Sequence, residues 1–505
     1  MLNITLYNLS VCVETNEQKL LDIISTFLSQ FYTVRSQGFN SKVQPEPKLY
    51  ASKLKNYGVY YLHTNQFIHL YHHIEKLGYP FKPDNKIDSR EYKILPGNFK
   101  IRDGWELRDY QTPIMDFLLD NPTKSKLVPI QTGRGKTAVA LYTIGKINER
   151  LGIVILPTYI EKWVNDIATI HEAFTQDVMV IQGSKSLKAL IELAKTESLD
   201  NNYFIFSSRT MQDYITQFEE DPELCTEMYG CAPIDLFPLL GIGVMLVDES
   251  HQHFHAIFKI LIYSNVKFQI GLSATLISDD PVVTRMHSIV YLDKCIYKGD
   301  KIDKYTDVYP IAYTIPEHFI RLIKTKNYGS NSYSHIAFEQ SIIKRNDLLQ
   351  KYIKLIKVNI DDYYIEDYRE QDKLLIFVST ISLATRLTDT LKSLYPEFKV
   401  NRYCEDDPYE NLMKSDIIVS TTISSGTAVD IPRLRVVLQT VSVSSQVVNL
   451  QSMGRLRKLQ DRDVKFCYLY SPNIDKQKDY SLKRIELFKS RVANISLRQS
   501  RVGLF

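Results

Sequence analysis

A glycine-rich turn between an apolar strand and a helix is the strongest chemical signal in the sequence. Residues 126–130 read KLVPI, and the turn QTGRGKT follows directly. Glycines let backbone amides turn inward, and these amides and the positive helix N-terminus cradle phosphate oxygens. Lys136 adds a charge at the β- and γ-phosphates, and Thr137 can ligate Mg²⁺. The residues predicted to contact the nucleotide here are Thr132, Gly133, Arg134, Gly135, Lys136 and Thr137.

A pair of carboxylates follows a second buried strand. Residues 244–251 read VMLVDESH, about 110 residues after the glycine-rich turn. A carboxylate at the end of a buried strand can hold Mg²⁺ through its water shell, and a second one beside it can orient an attacking water. We therefore assign Asp248 to the metal and Glu249 to water activation.

The histidines after this pair invite a metal interpretation, which the rest of the sequence does not favour. His251, His253 and His255 alternate, but no further cluster of Cys or His accompanies them, and the six cysteines form no CxxC pair. Zinc sites need four such ligands at close spacing. We instead predict that His251 couples the γ-phosphate site to the neighbouring domain.

Four motifs occur in a fixed order: QTGRGKT, DESH, GLSATL (271–276) and QSMGRLRK (451–458). In this order they resemble a superfamily 2 nucleic-acid helicase or translocase of the DExH type. The resemblance covers about residues 100–475 and implies an ATP-dependent motor that uses Mg²⁺.

The resemblance assigns roles to further segments of the first half. LRDYQ (107–111) resembles the adenine-recognition motif, in which Gln111 reads the base edge with Arg108 nearby. ILPTYIEKW (155–163) resembles the first strand-binding motif. The residues that it implies at the phosphodiester backbone are Pro157 and Thr158, and those implied to link hydrolysis to strand movement are Ser273 and Thr275.

In the second half, FVST (377–380) and VSTTISSG (419–426) resemble backbone-contacting motifs. Hydroxyls and exposed amides suit this task because they fix register on phosphates without reading sequence. The corresponding residues are Ser379, Thr380, Thr421 and Thr422.

The last motif, QSMGRLRK, implies a nucleotide contact from Gln451 and arginine fingers on the γ-phosphate from Arg455 and Arg457. Two departures from the family pattern occur. Lys458 stands where the second arginine is commonest, and Asp430 lies four residues after Gly426 instead of two. A ribose contact by Asp430 and a plain loop carboxylate are therefore both open.

The elements that position these residues follow an α/β pattern. Apolar strands alternate with amphipathic helices, as in parallel sheets buried on both faces. The predicted strands are 126–130, 152–156, 203–207, 243–248 and 268–273, then 373–379, 416–421, 436–441 and 465–470. We predict two tandem RecA-like domains, 96–300 and 301–505, with a linker around 295–310. A small α+β domain, residues 1–95, precedes them, with one strand at 3–13, a helix at 17–31, a strand at 57–63 and a helix at 65–78.

The charge of the small domain is concentrated. The whole chain of 505 residues carries a net charge of only +4. Across 31–60 the cations Arg35, Lys42, Lys48, Lys53 and Lys55 oppose one acid, Glu46, and they alternate with Tyr32, Phe39, Tyr50, Tyr57, Tyr60 and Tyr61. Cations for phosphates and rings for unpaired bases predict a DNA-engaging surface; a solvated basic loop over an aromatic core is the alternative.

The order of parts is similar to that of phage recombination helicases of the UvsW type, which remodel branched DNA. We therefore expect an ATP-dependent DNA helicase that acts on branched or forked DNA in recombination, repair or replication. The alternatives are an RNA helicase, an ATP-gated clamp that does not separate strands, and an unrelated phosphotransferase. No apolar run is long enough for a membrane span, so we expect a cytoplasmic protein, in the host if it is viral, and a monomer is compatible with the sequence.

Overall fold

The computed structural model describes most of the chain as two units. The described residues are 2–29, 49–79, 84–87 (backbone only), 94–130, 134–196, 199–248, 254–273, 280–299, 303–326, 332–404, 407–422 and 431–504. The first unit holds the described residues up to Gly299, and the second holds those from Asp303 onward.

The N-terminal part of the first unit is a small mixed sheet with two helices. Its elements are β1 (Leu2–Leu6), β2 (Ser10–Thr15), α1 (Gln18–Leu28), β3 (Ser52–Lys53), β4 (Val59–His63), α2 (Thr64–Lys76) and β5 (Asp84–Ile87). The strand order is β3-β4-β2-β1-β5, antiparallel except for the β1–β5 pair. The prediction of one strand over 3–13 is wrong: Tyr7 N donates to Ser10 O over 2.9 Å, and this turn makes a hairpin of β1 and β2.

A six-stranded parallel sheet forms the rest of the first unit. Its strands are β6 (Ser125–Pro129), β7 (Leu151–Ile155), β8 (Val178–Ile181), β9 (Tyr203–Ser207), β10 (Val244–Val247) and β11 (Phe268–Ser273), in the order β6-β11-β10-β7-β9-β8. The helices are α3 (Thr112–Asp120), α4 (Lys136–Ile147), α5 (Ile160–Ile170), α6 (Ser184–Lys195), α7 (Ser208–Glu220), α8 (Pro222–Tyr229), α9 (Pro233–Leu239), α10 (Phe254–Tyr263) and α11 (Pro281–Val290), with short 3₁₀ turns at Asp109–Gln111, Pro157–Tyr159, Thr175–Asp177 and Asp293–Cys295.

The small sheet and the parallel sheet share one hydrophobic core. Strand β4 contacts α10, and α2 contacts α11. The ring of Tyr61 lies 4.9 Å from that of Tyr263, and the hydroxyl of Tyr263 lies 2.7 Å from Ser52 Oγ. Asn65 Nδ2 donates to the carbonyl of Ile289 over 2.9 Å. The small sheet is thus fixed to the two helices that begin after the DESH and SATL segments.

The second unit contains an all-parallel sheet. Its strands are β12 (Thr306–Ala312), β13 (Lys373–Val378), β14 (Val400–Tyr403), β15 (Ile417–Thr421), β16 (Leu434–Gln439), β17 (Val464–Tyr470), β18 (Asn494–Ile495) and β19 (Arg498–Gln499), in the order β14-β15-β13-β16-β17-β12-β18, with β19 also beside β12. The helices are α12 (Glu317–Ile320), α13 (His335–Ile343), α14 (Asn346–Ile360), α15 (Ile381–Leu394), α16 (Glu410–Lys414), α17 (Gln446–Met453) and α18 (Asp475–Phe488), and a π-helical turn follows α14 at Asp361–Ile365.

The predicted fold class is confirmed: two RecA-like parallel α/β sheets follow a small α+β part. The prediction of a linker around 295–310 is partly wrong, because β12 overlaps its end and pairs with β17 along its whole length. Among the described residues, no helix has the length and apolar character that crossing a membrane requires.

Candidate active site

Several predicted site segments emerge from one edge of the first parallel sheet. Strands β6, β11, β10 and β7 are neighbours, with Pro129 paired to Ser273 and Val247 paired to Gly271 and Val154. Because parallel strands end at the same edge, their following residues meet there. The structure therefore brings together the end of the glycine-rich turn, Ser273, Asp248 and the 157–159 turn.

The glycine-rich turn leads straight into α4. Gly135 is the N-cap of this helix in a left-handed conformation, with φ of +73°, which L side chains adopt only under strain. A Cβ at this position would also lie 2.5 Å from Gln111 Nε2. Lys136 is the first residue of the helix and Thr137 the second, so both lie at the positive end of the helix dipole. Thr132 and Gly133 lie outside the described residues.

Both polar atoms of the Gln111 side chain form hydrogen bonds with backbone groups. It is buried; its Nε2 donates to the carbonyl of Arg134 over 3.1 Å, and its Oε1 accepts from Arg108 N over 2.9 Å. The predicted base-reading residue thus ties the LRDYQ segment to the glycine-rich turn. A base-edge contact remains a prediction.

Two arginines flank a tyrosine beside the turn. The guanidinium of Arg134 lies 4.4 Å from the centre of the Tyr110 ring, and Arg108 Nη1 donates to the Tyr110 hydroxyl over 3.2 Å. Such cation–π contacts orient a guanidinium without neutralising it. The structure therefore adds Tyr110, which the sequence did not single out, to this part of the site.

Asp248 is oriented by a buried tryptophan. Trp163 on α5 is fully buried, and its Nε1–H donates to Asp248 Oδ2 over 3.0 Å. Helix α5 begins directly after the 157–159 turn, contacts α4 and buries Ile160, Trp163 and Ile167 at helical spacing. Trp163 had no predicted role, although it ends the ILPTYIEKW motif; its indole donor is the signal that could have drawn attention to it.

We expect Trp163→Phe to raise the Mg²⁺ concentration needed for half-maximal ATP hydrolysis by about 10-fold or more. Removing a group that orients a metal-binding residue typically costs 10–100-fold in metal affinity, and phenylalanine lacks the Nε1–H donor. The measurement is a Mg²⁺ titration of ATPase activity. Trp105→Phe, at the other tryptophan of the chain, is the matched control. Equal Mg²⁺ dependence in both variants would contradict the role of Trp163.

Three predicted residues, Glu249, His251 and Thr275, lie outside the described residues, as does His253. The third alternating histidine, His255, lies at the start of α10 with Nε2 3.7 Å from Asp280 Oδ2. Asp280 also caps α11, accepting from Val282 N over 2.9 Å. No cluster of His, Cys, Asp and Glu suited to a metal ion occurs within the described ranges.

In the second unit, the two predicted backbone-contacting segments lie side by side. Strands β13 and β15 are neighbours, and Val378 pairs with Thr421. Ser379 and Thr380 therefore emerge beside Thr421 and Thr422 at the carboxyl edge of this sheet. Thr380 is the N-cap of α15, and its Oγ1 accepts from Leu383 N over 3.3 Å.

A buried glutamate that the sequence did not reveal holds one of these segments. Glu339 on α13 is completely buried. Its carboxyl accepts from Ser379 N over 2.7 Å and from Thr380 Oγ1 over 3.0 Å. The pKa of Glu339 is raised to about 8, because the effect of burial outweighs that of these hydrogen bonds, which lower the pKa. His335 Nε2 lies 3.6 Å from this carboxyl, and burial lowers the pKa of His335 to about 3, so the histidine is neutral at physiological pH.

The last motif begins in the final turn of α17, where Gln451 lies half-buried, and continues past the end of this helix. Arg455 is only 3% exposed, Arg457 is half-buried and Lys458 is exposed. Arg457 Nη1 donates to the carbonyl of Gly454, and Lys458 forms an ion pair with Asp303 over 3.4 Å. The three candidate cations therefore differ in exposure. Asp430 lies outside the described residues.

The basic and aromatic stretch of the small sheet is only partly as predicted. Lys53 and Lys55 are exposed, with Lys53 Nζ 5.4 Å from the centre of the Tyr60 ring. Tyr50, Tyr60 and Tyr61 are at most 8% exposed, so the expectation that these rings stack on bases is wrong; they belong to hydrophobic cores. Lys42 and Lys48 lie outside the described residues.

Comparisons with known proteins agree with these motifs. Residues 104–278 match the family of the type III restriction enzyme res subunit. The chain is 21% identical over 398 residues to a DNA 3'-5' translocase, XPB2, of Sulfurisphaera tokodaii, with 75% of this chain and 84% of that protein covered.

Solved structures also show similarity at low identity. Dbp5 of S. cerevisiae bound to RNA and ADP BeF3 has a TM-score of 0.47 at 14% identity, covering 78% of this chain and 90% of that one. T4 UvsW has a TM-score of 0.32 at 14% identity, with both chains fully covered. By its ordered motifs and its matched segment, the chain resembles superfamily 2 helicases and translocases of the DExH type.

Proposed function

We propose that the protein is an ATP-dependent DNA helicase or translocase that unwinds or branch-migrates branched DNA in recombination, repair or replication. The observation that carries this proposal is the shared edge of the first parallel sheet, where the described end of the glycine-rich turn, Asp248, Ser273 and the 157–159 turn lie together. One edge thus unites predicted nucleotide-binding and strand-binding residues.

The described residues fit a Mg²⁺-bound nucleotide. Gly135 keeps its backbone close to Gln111, where a side chain would clash, and Lys136 and Thr137 open α4 at its positive end. The Thr137 hydroxyl and the Asp248 carboxylate are oxygen donors, which Mg²⁺ prefers. When bound, the metal would neutralise charge that develops on the phosphates.

The protein groups then have separable tasks. Lys136 binds the β- and γ-phosphates, Trp163 holds Asp248 in position, and Glu249 orients the attacking water and takes its proton. Arg455 and Arg457 are assigned to the γ-phosphate. His251 and Thr275 are assigned, with Ser273, to linking hydrolysis to strand movement.

DNA is the proposed polymer because the relative from Sulfurisphaera tokodaii is named a DNA translocase. The exposed Lys53 and Lys55 belong to a basic stretch that suits contacts to the phosphates of a nucleic acid. We propose Pro157, Thr158, Ser379, Thr380, Thr421 and Thr422 as backbone contacts, and Lys42, Lys48, Lys53 and Lys55 as contacts to branched DNA. The domains in this proposal are 1–95, 96–300 and 301–505.

The test is the ATPase rate without nucleic acid and with single-stranded DNA, duplex DNA, a four-way junction or RNA. Branched DNA should give the strongest stimulation, accompanied by strand displacement. Preferential stimulation by RNA would indicate that the substrate is RNA and not DNA. Stimulation by DNA without displacement or translocation would favour an ATP-gated clamp, and a rate indifferent to every polymer would refute the motor.

A further inference from the structure

A basic groove lies in the second unit, between α13 and the segment that precedes it. The groove has a volume of about 500 Å³, and its polar lining comprises Lys324, Lys326, Gln340, Ser341, Lys344 and Arg345. Gln340, Ser341 and Lys344 occupy one face of α13 and its end, because residues three and four apart are neighbours on a helix. Lys324 and Lys326 form the facing wall.

The charge of this groove has one sign. Four cations line it and no carboxylate does, and all four are exposed. Within the described part of the chain, no ion pair involves any of the four, whereas nearby Arg321 pairs with Glu317 over 2.6 Å and Lys357 with Asp361 over 2.6 Å. Residues 327–331, which follow Lys326 in the sequence, read NYGSN and include no acidic residue.

Helix electrostatics account for only one of these cations. Lys344 caps the C-terminus of α13, where a positive charge is favourable. Lys324 and Lys326 lie on no helix, so they gain nothing from a helix dipole. Four like charges around one concavity repel each other and favour an anionic ligand.

The walls of the groove are fixed by hydrogen bonds. Ser341 Oγ accepts from Lys324 N over 3.0 Å and donates to Ala337 O over 2.9 Å. Ser334 N donates to Thr325 O over 2.8 Å, and Lys326 forms a β-bridge with Tyr333. The backbones that carry the cations are thus held at a set spacing.

Helix α13 also connects the groove to a predicted strand contact. Glu339, next to Gln340 but turned into the protein, holds Ser379 N and Thr380 Oγ1. Helix α13 therefore carries groove residues on one face and, through Glu339 on another face, holds a predicted phosphate-contacting segment.

We infer that this groove binds the phosphodiester backbone of a DNA strand, without reading its sequence, as a contact beyond those of the helicase motifs. The inference rests on the proposed function, since it deepens how the motor holds DNA. Lysine and arginine side chains with flanking hydroxyl and amide groups are the groups that make such contacts.

The test compares two triple variants with the same change of charge. The groove variant carries Lys324→Gln, Lys326→Gln and Lys344→Gln. The control carries Lys354→Gln, Lys392→Gln and Lys483→Gln, three exposed lysines of the same unit. Affinity for labelled single-stranded DNA is measured by fluorescence anisotropy over a range of salt concentrations, together with the ATPase rate in the absence of DNA.

We expect the groove variant to bind at least about 10-fold more weakly at low salt than the control. The slope of log affinity against log salt should fall by about 2, since each lost contact to a single strand removes about 0.7. The DNA-independent ATPase rate should match that of the control. Equal DNA affinities and equal salt slopes in the two variants would contradict DNA binding by the groove. The proposed motor function would be unaffected by that result.

Two further outcomes are distinguishable. If the groove variant loses binding of inorganic pyrophosphate but keeps its DNA affinity, the groove is a site for small anions. That outcome would contradict the inference. Failure of the unsubstituted protein to bind DNA, or to be stimulated by it, would refute the proposed function itself.

Discussion

Replacing Lys136 with alanine is expected to lower the rate of ATP hydrolysis by at least about 10²-fold. Lys136 is the first residue of α4, so its ammonium group adds to the positive helix end where phosphate oxygens are expected. Removing one group that stabilises developing charge typically costs 10²–10³ in rate. The measurement is steady-state phosphate release with saturating single-stranded DNA.

The control for this variant lies on the same helix. Lys146 is exposed in the last turn of α4, and Lys146→Ala removes the same charge about three turns away. It should hydrolyse ATP at the unsubstituted rate. Near-normal turnover by Lys136→Ala would refute the assignment of the phosphate site, whatever the polymer specificity.

Replacing Glu249 with glutamine is expected to lower kcat by about 10²–10⁴-fold while ATP still binds. Glu249 follows Asp248 directly in sequence, and positioned general bases contribute rate factors of this size. Glutamine has a similar shape but cannot accept the proton from water. ATP binding is measured with a fluorescent analogue, and hydrolysis is measured as a single turnover.

Glu220→Gln, at an exposed position on α7, is the matched substitution and should leave both readouts unchanged. If Glu249→Gln fails to bind nucleotide, the carboxylate has a structural or metal-binding role. If it binds and hydrolyses normally, another group activates the water.

The sequence predicted the central strands because they are apolar on both faces. The runs YFIFS at 203–207 and FQIGLS at 268–273 coincide with β9 and β11. The strands β8 and β14 escaped notice because each has only four residues, lies at an edge of its sheet and is only partly buried. The sequence of β14, VNRY, is also interrupted by polar residues. Strand β12 contains Asp307 and Pro310, which weaken its strand signal.

The site was predictable only where chemistry fixes residue types at short spacing. Lys136 and Asp248 are recognisable because the turn and the strand that position them are adjacent to them in the sequence. Trp163 and Glu339 act through partners 85 and about 40 residues away. Such pairings depend on tertiary packing, which no local pattern encodes. The same holds for the buried tyrosines 50, 60 and 61.

The shared core of the small sheet and the parallel sheet sets the timing of folding during protein synthesis. Ser52 and its partner Tyr263 are separated by 211 residues. At about 5–20 residues per second, the ribosome needs roughly 10–40 s to make the intervening chain. Throughout that interval Tyr61 has no α10 to pack against, so this apolar surface stays open to water or to chaperones. The small domain therefore acquires its full stability only after the DESH segment and the helix behind it have been translated.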